Sequence, residues 1–207
     1  KNQRAESKIP KFKGNFLEYL NVLSENKATV MLAHKRLYNV IEKQGIDTVD
    51  VGDESYRSYF NGEKLRKYDY FKKEFFGMES VIHNLMRFLK SAALKGEESR
   101  QVLLLMGPVG AGKSALTEHI KDALDGEVYY HLDQDPQRGE PLQLVPRSLR
   151  GNFEEMLGVK IEGDLSPVAR WRLLEEFDGK YENFKVKSST FSQRGRRGIA
   201  SVPPMDA

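Results

Sequence analysis

Eight consecutive residues, Gly107-Pro108-Val109-Gly110-Ala111-Gly112-Lys113-Ser114, follow the spacing G-x-x-x-x-G-K-[ST] throughout. Glycines at these places let a loop curl so that its backbone N–H groups point inward, and a helix starting at its end adds a positive pole. Phosphate oxygens are what such a cradle suits. The lysine sets a full positive charge where the β- and γ-phosphates of a nucleotide would lie, and the hydroxyl after it suits Mg²⁺. The pattern therefore predicts an ATP site made by Gly107, Pro108, Val109, Gly110, Ala111, Gly112, Lys113 and Ser114, with Ala115 in the helical turn beyond. Lys113 is the candidate catalytic group, and Ser114 is the candidate ligand for Mg²⁺.

Turnover of ATP needs more than a cradle, because an acidic pair must hold Mg²⁺ and activate water. Asp133 and Asp135, in Leu132-Asp133-Gln134-Asp135, come after the loop at a distance that is short for an ATPase but suits a small-molecule kinase. Leu173-Leu174-Glu175-Glu176 falls inside a helical pattern and reads as an exposed face. The expectation is that the working acidic pair lies beyond Ala207. Between Lys185 and Arg197 five bases occur with no acid, and Arg194-Gly195-Arg196-Arg197-Gly198 reads first as a solvated loop and second as a contact for phosphate or an acidic partner.

The elements that must position the loop are legible around it. Val102 to Met106 is a short continuous apolar run, as in a strand buried on both faces. A helix from about Gly112 to Leu124 carries Leu116, Ile120 and Leu124 on one face, and Val128 to Leu132 reads as a second strand. Strand, helix and strand in that order predict a βαβ crossover and a parallel sheet. Upstream, Met78, Val81, Ile82, Leu85, Phe88, Leu89 and Ala92 mark an amphipathic helix. Phe16, Leu17, Leu20 and Leu23 mark another, and Val30, Ala33, Leu37 and Ile41 a third that ends at Gly45. Residues 1–14 read as a loose lead-in. Downstream, Leu149, Phe153 and Leu157 with Gly158 predict a short helix, Ser166-Pro167 caps one reaching Phe177, and Phe184 to Val186 suits a strand.

The chain has 207 residues, no Cys and four scattered His, which excludes disulfides, thiolate metal sites and a cysteine nucleophile. Charged residues make up 30%, yet the net charge is only +3, a balance that argues against dedicated nucleic-acid binding. No apolar run is long enough to span a bilayer and no signal peptide opens the chain, so a cytoplasmic protein without membrane attachment is expected. Lys1 at the start and the loop-like Val202 to Ala207 at the end read as a fragment of a longer protein.

Phe75-Phe76-Gly77-Met78-Glu79, Ala92-Ala93 and the loop written Gly-Pro-Val-Gly-x-Gly-Lys-Ser together resemble the PrkA family of serine protein kinases, which carry an AAA-type ATPase core. Phe16-Leu17-Glu18-Tyr19-Leu20, Ala33 to Tyr38, Glu140-Pro141-Leu142, Leu157-Gly158, Ile161 to Leu165, Phe191-Ser192 and Arg197-Gly198-Ile199 extend the likeness over most of the chain. The resemblance implies an α/β fold: an incomplete P-loop NTPase core of AAA type with a parallel sheet, spanning 73–207, behind an N-terminal helical region, 1–72. It implies that Phe76 and Gly77 lie near the adenine, that a protein could be the substrate, and that the full-length protein can oligomerise. Two other readings remain open: a nucleotide-driven remodelling or scaffold module that phosphorylates nothing, and a small-molecule P-loop kinase.

Overall fold

The structure is a computed structural model that describes residues 11–26, 30–49 and 65–192. Two compact units divide them. One joins the chain up to Val30 with Gly126–Phe191, and the other is built on Met31–Asp125.

In the first unit, β1 (Lys13–Asn15) runs directly into α1 (Phe16–Glu25). Asn15 makes the junction a capping box: its side chain accepts from the Glu18 N–H at 2.9 Å, and the Glu18 carboxylate accepts from the Asn15 N–H at 2.9 Å. β4 (Val128–Leu132) and β5 (Lys185–Thr190) complete a three-stranded sheet in the order β1-β5-β4, antiparallel throughout, with Tyr130 opposite Ser188 and Gly14 opposite Val186. Phe16, Tyr19 and Leu23 of α1 share a core with Leu132, Phe184 and Val186 of the sheet region and with Leu142, Leu144 and Val145. Two helices close this unit. α5 (Arg147–Leu157) stops at Gly158, whose φ of +68° is the left-handed turn that glycine adopts without strain. α6 (Pro167–Glu175) starts at Ser166, whose hydroxyl oxygen accepts from the Ala169 N–H at 3.0 Å.

In the second unit, α2 (Ala33–Glu42) lies against α3 (Glu79–Ala93), and Tyr38 and Ile41 share a core with Ile82, Leu85, Met86 and Leu89. β2 (Ile46–Val49) and β3 (Leu65–Tyr68) form an antiparallel ladder in which Ile46 faces Tyr68. α4 (Lys113–Ala123) contributes Leu116 and Ala123 to the same core. Among the described residues no helix is long and apolar enough to cross a membrane.

Two expectations are corrected. Residues 102–106 form no strand: Val102 is 92%, Leu104 72% and Met106 83% exposed. A strand persists only where a neighbour takes up its N–H and C=O groups. β4, expected beside that run, pairs antiparallel with β5 in the other unit, so no parallel βαβ unit forms among the described residues. The compact units separate the first two helices: α1 joins one unit and α2 the other, and the apolar face of α2 finds its complement on α3. Of the loose lead-in, residues 13–15 form β1, while 1–10 lie outside the described residues.

Candidate functional site

Between the exposed run 102–106 and α4 the chain makes a tight exposed loop. Gly110 (φ +83°) and Gly112 (φ +76°) take the left-handed conformation, which would cost a side-chain-bearing residue roughly 1–2 kcal/mol. A turn bond from Ala111 N–H to Pro108 O, at 3.3 Å, closes the bend. The first intrahelical bond of α4 runs from Leu116 N–H to Gly112 O, at 2.8 Å. The N–H groups of Lys113, Ser114 and Ala115 therefore have no partner within the helix, as at every helix start, and they concentrate its positive end there.

Lys113 folds back over the loop. Its Nζ donates to Gly107 O at 2.7 Å and to Pro108 O at 2.6 Å. Ser114 and Ala115 are exposed in the first turn of the helix. Behind the loop lies a cavity of about 1010 Å³, walled by Met78 at the head of α3, by α3 itself through Leu85 and by the chain from Leu103 to Pro108, with Ala111 and Lys113 at its loop side. Met78 supports the loop, since a Cβ added at Gly112 would stand 3.4 Å from its Sδ.

A phosphate-bearing ligand fits this donor set: exposed backbone, two left-handed glycines, a helix start without an acid in its first turn, and one ammonium. Gly107, Pro108, Val109, Gly110, Ala111, Gly112, Lys113, Ser114 and Ala115 are contiguous around one bend. Phe76 stands apart: it is 80% exposed and does not line the cavity, although Gly77 next to it makes the left-handed turn (φ +72°) that leads into α3. Met78 is the contact that reasoning from spacing missed. Its signal was its place at the head of the α3 apolar stripe.

Asp133 and Asp135 lie in the other unit, and both are buried and engaged. Lys187 Nζ is 2.6 Å from Asp133 Oδ1, while Arg172 donates to Asp133 O at 2.6 Å. Asp135 Oδ2 accepts from Gly139 N–H at 2.7 Å, and its Oδ1 accepts from the Ser166 hydroxyl at 2.7 Å. Those bonds make Asp135 the clasp of a tight turn onto the start of α6. Glu175 is exposed, and Glu176 accepts from Arg172 at 2.8 Å. Arg194 to Arg197 lie outside the described residues.

Mixed helices and strands around a glycine-rich loop that opens a helix suit an AAA-type nucleotide-binding domain. Residues 14–207 match the family described as the PrkA AAA domain, and the chain belongs to it. It is 35% identical to the "ATP-dependent protease PrkA" of Bacillus subtilis (strain 168) over 98% of this chain and 31% of that protein. It is 31% identical to the "Serine/threonine kinase YeaG" of Escherichia coli (strain K12) over 91% of this chain and 30% of that protein. The chain thus spans under a third of the length of either relative. A shorter likeness, 36% over 64 residues, joins it to "Lon protease 2" of Hydrogenovibrio crunogenus (strain DSM 25203 / XCL-2) and covers 7% of that protein. No solved structure matches the chain.

Proposed function

We propose that this chain is the nucleotide-binding part of an ATP-dependent enzyme and that it holds Mg–ATP by its phosphates at Gly107 to Ser114. The observation that carries the reading is the joining of two left-handed glycines, Gly110 and Gly112, to the start of α4 with Lys113 Nζ at the mouth of the bend. Bound there, ATP would supply the transferable phosphoryl group. The chain's own residues bind and orient it: backbone N–H groups and Lys113 take the phosphates, Ser114 takes Mg²⁺, and the cavity beside Met78 offers an apolar wall. Phe76 and Gly77 stay in the proposal as the turn nearest that wall in sequence.

The fate of the bound ATP depends on the whole protein, and the names of the relatives point two ways. One is called a protease and the other a kinase. We place serine phosphorylation of a protein first and nucleotide-driven remodelling second. The engagement of Asp133 and Asp135 with Lys187, Gly139 and Ser166 speaks against a small-molecule kinase built on them. Incubating the full-length protein with γ-labelled ATP separates the readings. Label on protein serine supports the first, label released only as free phosphate supports the second, and no binding of ATP at all removes both. The 207-residue chain alone is expected to bind ATP but to release phosphate no faster than its Lys113→Ala variant.

A further inference from the structure

A second cavity, of about 260 Å³, lies within the first unit at the start of α5. Arg147, Arg150 and Arg170 line it, and Asp164 is the acid among its described lining residues. Three guanidinium groups against one carboxylate leave two positive charges in a small concave space. The arginines are held in different ways. Arg147 grips Asp164 with both arms of its fork, Nε to Oδ1 at 3.3 Å and Nη2 to Oδ2 at 2.5 Å, which holds the Asp164 carboxyl below its ordinary range. Arg150 is only 15% exposed in its side chain and is fixed by the carbonyls of Val145 at 3.2 Å, Gly163 at 2.9 Å and, at a long 3.4 Å, Gln143, with its Nη2 3.6 Å from Asp164 Oδ1. Arg170 Nη2 reaches Leu165 O at a long 3.4 Å.

A guanidinium fork matches the oxygens of a phosphate or carboxylate, and a fork already fixed by packing loses less entropy on binding. Charge selects between these two anions. A carboxylate would neutralise one of the two surplus charges, whereas a phosphate monoester, with about −1.5 to −2 at neutral pH, matches both. The volume falls just under the roughly 300–1,000 Å³ of pockets for drug-sized ligands, which suits one small group. Leu165, Leu173 and Tyr181 give the cavity a wall for a short carbon stem. The first turn of α5 has no side-chain cap, and its positive end adds to the same field.

We propose that this cavity binds a phosphate monoester, held by Arg150 and Arg170, with Arg147 leaving Asp164 to join them. Asp164 then acts as a built-in competitor that occupies one guanidinium until the phosphate arrives. The site does not depend on the nucleotide reading, and its test is arranged so that the two can fail separately.

Calorimetric titration of the chain carrying Lys113→Ala, which disables the loop near Gly107, uses two probes: inorganic phosphate and a short phosphoserine peptide. Binding of at least one probe is expected to persist in that background. It should fall at least tenfold when Arg150→Gln and Arg170→Gln are added, and strengthen several-fold with Asp164→Asn, because the competitor is gone. A merely structural ion pair would give no gain from Asp164→Asn. Preference for the peptide assigns the phosphate to a protein, and equal binding assigns it to the free anion or a small monoester. Should the Arg150 variant fail to fold, Arg170→Gln alone carries the test, since Arg170 is exposed. No binding in the Lys113→Ala chain, affinity indifferent to the arginines, or no gain from Asp164→Asn would overturn the proposal.

Discussion

Lys113 Nζ donates to the carbonyl oxygens of both Gly107, at 2.7 Å, and Pro108, at 2.6 Å, so the ammonium of the loop is held by the loop's own backbone. A phosphate that binds must exchange with those carbonyls. The contact keeps the charge at the mouth of the bend and lets neutral acceptors be traded for a charged one, which is favourable because hydrogen bonds between ionised groups are the stronger class.

Lys113→Ala is expected to weaken binding of a fluorescent ATP analogue by about 10- to 150-fold, from about 1.5–3 kcal/mol for a hydrogen bond to a charged group. Ser114→Ala should weaken it chiefly when Mg²⁺ is present. Titrations with Mg²⁺ and with EDTA check both, and an unaltered affinity in the Lys113 variant would remove the site.

Two glycines test the geometry in opposite directions. Gly112→Ala puts a Cβ at φ +76° and 3.4 Å from Met78 Sδ, so it should cost roughly 1–2 kcal/mol of stability and weaken ATP binding together. Gly151, inside α5, has nothing within 4 Å of an added Cβ. Gly151→Ala should stabilise by up to about 1 kcal/mol with affinity unchanged. Thermal melts beside binding curves decide the matter, and equal effects from the two changes would contradict the loop conformation.

Asp135→Asn should leave ATP binding intact and lower stability by about 1–3 kcal/mol, because an amide can present only one acceptor oxygen where Gly139 N–H and the Ser166 hydroxyl both donate. Urea unfolding measures the loss. If the variant folds normally but the full-length protein no longer turns over ATP, the small-molecule kinase reading rises above ours.

Acid should destabilise the fold through identifiable carboxylates. Hydrogen bonds from Arg172 to Glu176 and from Arg147 to Asp164 hold both carboxyls below their ordinary values. A folded-state pKa below the unfolded one means stability that is fully present above the unfolded value, about 4.3 for Glu, and is lost as pH falls through the folded value. Urea midpoints taken from pH 7 down to pH 3 should therefore decline at the acid end, and Glu176→Gln should flatten that decline. An identical acid slope in the variant would exclude Glu176 as a contributor.

The helices were legible in the chain because their signals are local. The Leu116 and Ile82 stripes repeat within a turn or two, Gly158 ends α5 where a left-handed residue is needed, and Ser166 caps α6 three residues away from the N–H it serves. The loop from Gly107 to Ser114 was legible for the same reason, since its bend is made by glycines within the motif itself. Sequence by itself therefore determined which stretches are helical and where the glycine-rich bend lies, while the ends shift by a few residues: α2 stops at Glu42 before Gly45, and α6 at Glu175 before Phe177. Strands are another matter, because each strand bonds to a segment that composition does not name. Val102 to Met106 has the content of a buried strand and is exposed for want of a partner among the described residues, whereas β4, with His131 bonded to Ser189 58 positions away, takes an antiparallel neighbour. The tertiary structure alone decided that α1 and α2 belong to different units, that Asp133 and Asp135 are engaged by Lys187, Gly139 and Ser166, and that Arg147 meets Asp164 17 residues on. Pairing, register and charge neutralisation are contacts between distant residues, so they exist only once the chain has closed on itself.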